Sequence, residues 1–401
     1  MKLIHLFIKK GGMNSLVYIK RIPLAFILVL SIVMITGCST DTNANEQNGG
    51  EAWAAENKLD ETEPVDELYE KAKEEGSVVI YSNGSKFKDV KASFEEEYPG
   101  VKVEPYKVTR AELVEKLTRE HESGVYNADV IHTNPEPKLL DNSHMHSYLP
   151  HDIRETYFEE YQDDEYPIHY MDVNPIIYNT EVYDESPVTN WWDLTDPEWT
   201  GKVLMQDPVS DVSYSELFIA IIQHADEMEE AYKDKYGEEI ELKEENAGYE
   251  FIKRFIENDP VLISSGEDII DSVGQTGQEN PPIGFTSSSK LRHIKQSGLP
   301  IEGNLELNPK VSVMRTKGLY VADQAEHPNA AKLMIRWALG EANGEAAGLD
   351  PFNLYGVWIP RDNVENKNDI SMEDIETWHI DQEFYDTNFS EFRNFWLSNI
   401  D

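Results

Sequence analysis

The sequence predicts an α/β fold built around a largely parallel sheet. Short runs of β-branched and aromatic residues, such as Val78–Tyr81 and Ala128–His132, alternate with segments whose apolar residues recur at helical spacing. The connections between these runs are short, and such alternation is typical of strand–helix–strand units. A chain of 401 residues is also long enough for two domains, each with its own core.

The N-terminus is similar to the signal of a bacterial lipoprotein. Two basic residues precede an apolar run over residues 22–35, which is short for a membrane span and leads into Ile35-Thr36-Gly37-Cys38-Ser39. This ending resembles a lipobox, in which the cysteine receives a diacylglyceryl group before cleavage. Cys38 is the only cysteine, so no internal disulfide can form. We therefore predict a signal peptide over 1–37 and a protein held by a lipid on Cys38 at the extracytoplasmic face of the cell membrane.

The chain is strongly acidic, with 76 acidic and 35 basic residues and a formal charge of −41. Binding to nucleic acid is disfavoured, because neutralising phosphates requires clustered Lys and Arg. Such a surface is self-repelling and predicts a soluble monomer. Residues 38–63 are rich in Asp, Glu, Asn, Thr and Gly without an apolar period, and they predict a solvated tether.

The folded body begins near residue 64. Its first region is predicted to contain a helix from Val65, the strand Val78–Tyr81, a helix with Phe87, Val90 and Phe94 on one face, the strand Val101–Val103, a helix over 111–121 and the strand Ala128–His132. A second region, from about Met171, is predicted to contain an apolar helix over 217–222, an acidic helical segment over 227–257, the strand Val311–Met314 and a helix from His327. Aromatic residues from Phe384 to Trp396 have the spacing of a terminal helix packed on the body.

Polar residues follow two of the predicted strands in the first region. Ser82, Asn83 and Ser85 lie where a strand gives way to a helix, and Asn134 follows another strand. Ligands of parallel sheets bind at the carboxyl ends of strands, and the N–H groups at helix N-termini accept anions. We therefore predict that these four residues contact a ligand. Capping of the helix by Ser85 is the alternative.

A second group of candidates lies in the stretch between Glu279 and Glu302, which contains no acidic residue. The predicted ligand contacts in this stretch are Ser287, Ser288, Ser289 and Lys290. Arg292 either joins them or pairs with the acidic surface. Another loop-to-helix entry follows Asp207-Pro208, and the candidates there, whose alternative role is capping, are Ser210, Ser213 and Tyr214.

The order of motifs resembles the family 1 extracellular solute-binding proteins of bacterial ABC importers, particularly the branch named for ferric-iron binding. The matching motifs are Val78–Ser82, Phe94–Gly100, Ala128–Ile131, Tyr178-Asn179-Thr180, Trp192-Asp193-Leu194, Trp199-Thr200-Gly201-Lys202, Asp207-Pro208, Gly266-Glu267 and His327-Pro328-Asn329-Ala330-Ala331. The resemblance implies a two-lobed periplasmic-binding-protein fold of type II, with one ligand in the cleft between the lobes. It also implies a membrane permease as partner, no catalysis and no cofactor.

The lobes implied by this resemblance are 64–172 with about 319–369, and 173–318 with about 370–401. In the ferric binders an adjacent tyrosine pair holds the metal, and it would fall at about Ser287–Lys290 in this chain. Neutral serines cannot replace phenolates on a hard trivalent ion, and a lysine would repel it. The hydroxyls, amides and lysine instead favour an organic anion, such as a phosphate ester, phosphonate or sugar phosphate. Ferric iron held by other tyrosines is the alternative ligand.

Three other interpretations are a metal pair, a secreted hydrolase and a purely structural surface protein. His144 and His146 beside Asp141 resemble a metal pair, but their polar surroundings favour surface histidines. A secreted hydrolase is compatible with so many carboxylates. However, the sequence contains no Gly-x-Ser-x-Gly, His-Glu-x-x-His or Gly-Lys-Thr motif. A purely structural surface protein would bind no small molecule.

Overall fold

The structure is a computed structural model that describes residues 42–84, 86–163 and 166–400. The predicted signal peptide, Cys38 and Ser85 lie outside these ranges. Among the helices within them, none combines the length and apolar character that crossing a bilayer requires.

Strands and helices alternate along the chain. The strands are β1 (Ser77–Ser82), β2 (Lys102–Lys107), β3 (Val130–Thr133), β4 (Met145–Ser147), β5 (Ile168–Asp172), β6 (Ile176–Asn179), β7 (Val203–Met205), β8 (Val261–Leu262), β9 (Ile283–Phe285), β10 (Ile301–Asn304) and β11 (Arg315–Ala322). The α-helices are α1 (Thr42–Glu56), α2 (Val65–Glu75), α3 (Phe87–Glu97), α4 (Arg110–Glu122), α5 (Pro137–Asp141), α6 (His151–Arg154), α7 (Val212–Gln223), α8 (Ala225–Tyr236), α9 (Ala247–Glu257), α10 (Gly266–Val273), α11 (Arg292–Ser297), α12 (Pro328–Ala338) and α13 (Gln382–Asn399).

Two sheets form the cores of two lobes. The first sheet has the order β2-β1-β3-β11-β4, with β5 also paired to β11, and the second has the order β10-β6-β9-β7-β8. The chain crosses to the second sheet between β5 and β6 and returns between β10 and β11. The predicted α/β two-lobed fold is confirmed. Each sheet is mixed rather than largely parallel, because the returning strand β11 pairs antiparallel with β3 and β6 pairs antiparallel with β9 and β10.

Apolar periodicity explains how the helices cover the first sheet. Phe87, Val90 and Phe94 are each at most 1% exposed, as their helical spacing predicts. Phe94 meets Trp337 of α12 edge to face, with ring centroids 5.1 Å apart. These contacts bring the N-terminus of α3 to the carboxyl end of β1.

The second sheet is covered in the same way by α7, α9, α10 and α13. Phe392 and Trp396 of α13 are buried and lie 6.0 and 5.4 Å from the ring of Phe218 on α7. The predicted terminal helix therefore packs on the body of the second lobe.

The described part of the predicted tether differs from a solvated chain. Residues 42–56 form α1, and the ring of Trp53 lies 5.5 Å from that of His146. Leu59 is buried, and the buried carboxylate of Glu63 accepts a hydrogen bond from Lys332. These single contacts have no periodicity along the sequence, and the pattern of apolar residues could not indicate them.

Candidate ligand-binding cleft

Polar residues of three strands meet at one edge of the first sheet. Gly318 of β11 pairs with Thr133 at the end of β3, so the residues before Gly318 extend past that end and lie beside Asn134. The strand itself begins at Arg315, after the predicted Val311–Met314 and before the lobe crossing expected at about residue 319. The first residues of β11 therefore belong to the first lobe and face the cleft.

Lys317 joins the loops that follow β1 and β3. Its Nζ atom donates hydrogen bonds to Oδ1 of Asn83, at 2.5 Å, and to Oδ1 of Asn134, at 2.8 Å. The amide of Asn134 is oriented by its Nδ2 atom, which donates to the carbonyl oxygen of Thr316 at 3.0 Å. The ammonium group is thus held by two neutral amide oxygens.

The surroundings of Lys317 disfavour its charge. The pKa of Lys317 is lowered to about 7, mainly by burial, with a contribution from the neighbouring Arg315 and Arg110, while Asp172 and Glu216 oppose this change. An anion placed beside this ammonium group would favour the charged form and raise its pKa.

A polar network connects the two lobes beside Lys317. Arg315 donates to Oδ1 of Asp172 from Nε, at 2.9 Å, and its Nη2 lies 2.7 Å from the same oxygen. Ser287 of the second lobe donates to the other oxygen of Asp172 at 2.6 Å, and its hydroxyl lies 2.6 Å from that of Ser289. The serines of the acid-free stretch therefore face the first lobe, as an arrangement that closes on a ligand requires.

Basic residues that follow these serines converge on one carboxylate. The Nζ atom of Lys290 and the Nη2 atom of Arg292 each lie 2.6 Å from Oε1 of Glu267 in the first turn of α10. The Nε2 atom of His293 lies 2.8 Å from Oε2, without the angles of a hydrogen bond. Burial raises the pKa of Glu267, but Lys290 and Arg292 outweigh it and hold the pKa at about 2. Gly266 is needed here, because a Cβ atom would lie 2.4 Å from the hydroxyl of Thr286.

Arg110 links the lobes at another side of the cleft. It contacts Glu136 of its own lobe, and its Nη1 atom donates to Oε1 of Glu216 on α7 at 2.6 Å. Lys138 and Asp386 form a second ion pair between the lobes, 3.1 Å apart. Arg110, Glu136, Lys138 and Asp386 line a cavity of about 370 Å³ between α4, α5, α7 and α13.

Several residues predicted from the sequence have hydroxyls that bind other protein atoms. Ser82 is 2% exposed and shares hydrogen bonds with His132 and with the N–H of Gly84. Ser288 donates to the carbonyl of Gly356, Tyr214 donates to that of Phe285, Ser210 donates to that of Asp207 and Ser213 donates to the carboxylate of Asp211. These five residues are therefore not among the proposed ligand contacts.

Of the remaining predicted residues, Ser85 lies outside the described ranges, and five lie at the cleft: Asn83, Asn134, Ser287, Ser289 and Lys290. The sequence-based prediction missed Arg110, Arg315 and Lys317. Arg315 and Lys317 are two residues apart and therefore share one face of a strand. Had the predicted strand begun at Arg315, this spacing would have indicated a pair of cations at the cleft.

The histidines near residue 144 do not stand free at the surface. His146 is 11% exposed, and its Nε2 atom lies 2.8 Å from Asp323, which also lies 3.2 Å from His121. Over the ranges that the structure describes, no group of three or more His, Cys, Asp or Glu side chains is arranged to hold a metal ion.

Comparison with known proteins identifies the family and the fold. Residues 89–377 match a family model described as bacterial extracellular solute-binding protein. The structure resembles that of the periplasmic binding protein AfuA from Actinobacillus pleuropneumoniae with fructose-6-phosphate bound (TM-score 0.61, 18% identity, 81% of this chain and 98% of that one). It also resembles the apo ferric ion-binding protein A of Pasteurella haemolytica (0.60, 15%, 80% and 97%) and iron-bound HitA of Pseudomonas aeruginosa (0.59, 14%, 80% and 99%). No curated protein matches the sequence. At these identities the structural likeness shows the fold alone.

Proposed function

Because the chain belongs to the bacterial extracellular solute-binding proteins, which are the non-enzymatic ligand-binding components of ABC importers, we propose that its ligand is a small organic anion. The ligand class is a phosphate ester, a phosphonate or a sugar phosphate, held in the cleft between the lobes and delivered to a membrane permease.

The observation that carries this proposal is the environment of Lys317. Its ammonium group faces the cleft region with two neutral amide oxygens as hydrogen-bond partners, and its pKa is lowered to about 7. A protein that buries a lysine in this way loses stability unless an opposite charge compensates it. A phosphate or carboxylate group bound here would supply that charge through charge-assisted hydrogen bonds.

The composition of the cleft supports the same ligand class. In a chain with more than twice as many acidic as basic residues, cations from both lobes gather at the cleft. The first lobe contributes Arg110, Arg315 and Lys317, and the second contributes Lys290 and Arg292. Four carboxylates, those of Glu136, Glu216, Asp172 and Glu267, pair with these cations, and Lys317, which contacts only amide oxygens, is the cation left to attract an anion rather than a metal cation.

Ferric iron is the alternative raised by the related structures, and two features disfavour it. The position expected for the metal-binding tyrosines carries serines and Lys290. Tyr170, which lies near Asp172 and Arg315, has its pKa raised by burial, so forming a phenolate there is unfavourable. A ferric site in this cleft would need another set of tyrosines.

Binding would proceed by closure of the lobes on the ligand. Asn83, Asn134 and Lys317 belong to the first lobe, and Ser287, Ser289 and Lys290 belong to the second. A ligand that contacts both sets stabilises the closed form, because only that form offers both sets of contacts. The closed complex would then be recognised by the permease.

Attachment through a lipid on Cys38 is part of the proposal. Its support is the lipobox-like sequence and the extracytoplasmic role of the family. Mass spectrometry of the wild-type protein from membranes should find a chain that begins at Cys38 and carries a diacylglyceryl group on that cysteine. A membrane-bound chain that begins at Cys38 without the lipid would contradict the lipid anchor.

A thermal-shift screen tests the ligand class. We expect the melting temperature to rise with organic phosphates, among them fructose 6-phosphate and glycerol 3-phosphate, and to stay unchanged with ferric citrate, citrate alone serving as the control. Stabilisation by ferric citrate and by no organic phosphate would overturn the proposal. Stabilisation by no small molecule would favour a structural surface protein.

A further inference from the structure

Cationic side chains at the cleft form two clusters. The first cluster consists of Arg110, Arg315 and Lys317. The second cluster consists of Lys290, Arg292 and His293. We propose that the ligand carries two separate anionic groups, one for each cluster, and that at least one of them is a phosphate. This inference rests on the proposed function and narrows its ligand class.

The first cluster has one cation that contacts no carboxylate. Arg110 pairs with Glu136 and Glu216, and Arg315 pairs with Asp172. Lys317 instead donates to amide oxygens, which provide no charge. One anionic oxygen of a ligand would complete the coordination of this ammonium group, which has three donors.

The second cluster places two cations, Lys290 and Arg292, on the single carboxylate of Glu267, with the ring of His293 beside them. Lys290, Arg292 and His293 all lie within 2.8 Å of Glu267, and their side chains are 24%, 14% and 22% exposed. Lys86, at the N-terminus of α3 in the first lobe, is close enough to Arg292 and Lys290 for electrostatic interaction. The guanidinium group of Arg292 is suited to a phosphate.

The two clusters are separated by the turn that begins at Ser287. The hydroxyl of Ser287 donates to Asp172, the partner of Arg315 in the first cluster. Its carbonyl oxygen accepts the backbone N–H of Lys290, at 2.9 Å, where the second cluster starts. Asp172 and Ser287 therefore lie between the clusters. A ligand with an anionic group at each end would contact both.

This arrangement of charged and hydroxyl groups indicates the chemical class of the ligand. The second cluster suits a phosphate ester, and Lys317 suits either a carboxylate or a second phosphate. Ser287 and Ser289 lie between them. Ser287 donates to Asp172 and accepts from the hydroxyl and the N–H of Ser289, so the hydroxyl oxygen of Ser289 is the one left to accept from a hydroxyl group of the ligand. Bisphosphorylated sugars and phosphorylated hydroxy acids have these features.

Matched pairs of probes test the inference by calorimetric titration of the full protein. In the first pair, 3-phosphoglycerate differs from glycerol 3-phosphate by a carboxylate in place of a hydroxymethyl group. In the second pair, fructose 1,6-bisphosphate differs from fructose 6-phosphate by a second phosphate. In at least one pair, we expect the probe with two anionic groups to bind at least about tenfold more tightly than the probe with one. A charged hydrogen bond provides a gain of this size.

Three variants locate the two groups. Lys317→Met should bring the two members of the pair to about equal affinity, and Arg292→Gln should weaken both members. Lys295→Met makes the same charge change on α11, where Lys295 lies over the ring of Tyr355, and it should behave as the wild type. Thermal melting of each variant confirms that it is folded.

Equal affinities within both pairs for the wild-type protein would overturn the two-anion inference and leave the proposed function standing. A preference that survives Lys317→Met would also overturn it. If none of the four probes binds, both the inference and the proposed function fail.

Discussion

The ammonium group of Lys317 donates to the amide oxygen of Asn134 over 2.8 Å, a contact between residues 183 positions apart in the chain. It joins the first residues of β11 to the loop after β3. A buried lysine that is hydrogen-bonded to neutral amides loses its proton readily, and an anionic ligand would favour the protonated form. Several consequences can be measured.

The first prediction concerns the pH dependence of binding. The pKa of Lys317 is about 7 in the ligand-free protein and should rise when an anion binds beside it. Binding should therefore take up protons above about pH 7, and affinity for an organic phosphate should fall between about pH 7 and 9, where the phosphate itself stays doubly charged. The other charged groups near Lys317 are Asp172, Glu216, Arg315 and Arg110.

Calorimetry in buffers of different ionisation enthalpy measures this proton uptake directly. Lys317→Met should abolish it. Proton release by the wild-type protein, or an affinity that does not change over this pH range, would count against the role of Lys317.

The second prediction concerns Glu267 and acid stability. Its pKa of about 2 lies below the ordinary value, so its ion pairs should stabilise the fold fully above about pH 4.5 and lose that effect as pH falls towards 2. Glu267→Gln should lower the melting temperature at about pH 7, and the difference from wild type should shrink at about pH 3. The shift should be small, because the Glu267 side chain is 44% exposed. An equal difference at both pH values would contradict this assignment.

The sequence alone predicted the buried faces of the fold better than it predicted the residues at the site. Phe87, Val90 and Phe94 revealed a buried helix face, because burial of apolar residues follows the local period. Buried serines such as Ser82 and Ser288 were predicted as ligand contacts, because their residue type does not reveal which partner their hydroxyl will have. That partner is a histidine or a carbonyl at least 50 residues away.

The cations of the cleft were harder to predict for the same reason. Lys317 becomes notable only when Asn83 and Asn134 are brought beside it by β1, β3 and β11. The acid-free stretch was different, since its Lys290 and Arg292 stand out against the acidic composition of the chain. Its pairing with Glu267, more than 20 residues earlier, was not visible from composition.

The third prediction concerns the ion pair between Arg110 and Glu216, which joins the lobes without a ligand. Both side chains are less than one fifth exposed, so removing one partner should cost the closed form about 1–3 kcal/mol. Glu216→Gln should increase the radius of gyration of the ligand-free protein in X-ray scattering, and a saturating ligand should reverse the increase.

Glu115→Gln is a matched control, because Glu115 lies on α4 and pairs with Arg119 of the same helix at the surface. It should leave the scattering unchanged. Identical scattering from the wild type and Glu216→Gln would show that this ion pair does not hold the lobes together.

The fourth prediction concerns the tautomers of two buried histidines. The Nε2 atom of His169 lies 3.0 Å from the carbonyl oxygen of Ala338, which can only accept, so this nitrogen carries the proton. The Nδ1 atom of His169 must then accept from Nε2 of His132, at 3.2 Å, and Nδ1 of His132 accepts from the hydroxyl of Ser82, at 2.9 Å. Both rings stay neutral, because burial lowers the pKa of each, to about 3 for His169.

Nitrogen-15 NMR should therefore show the Nε2–H tautomer for both rings from about pH 5 upwards. This chain of hydrogen bonds would hold Ser82 with its proton directed away from the cleft, which leaves Asn83 as the residue of that loop that meets Lys317. An Nδ1–H tautomer at His132 would reverse the direction of the Ser82 hydrogen bond and contradict this description.

The most direct test of the central claim is a calorimetric titration of the wild-type protein and of Lys317→Met with the organic phosphate that stabilises the protein most. We expect a single site in the wild type and an affinity at least about tenfold weaker in the variant, with thermal melting of the ligand-free variant showing that it is folded. Equal affinities for the two proteins, or binding of ferric iron and of no organic phosphate, would contradict the claim that this cleft holds an organic anion at Lys317.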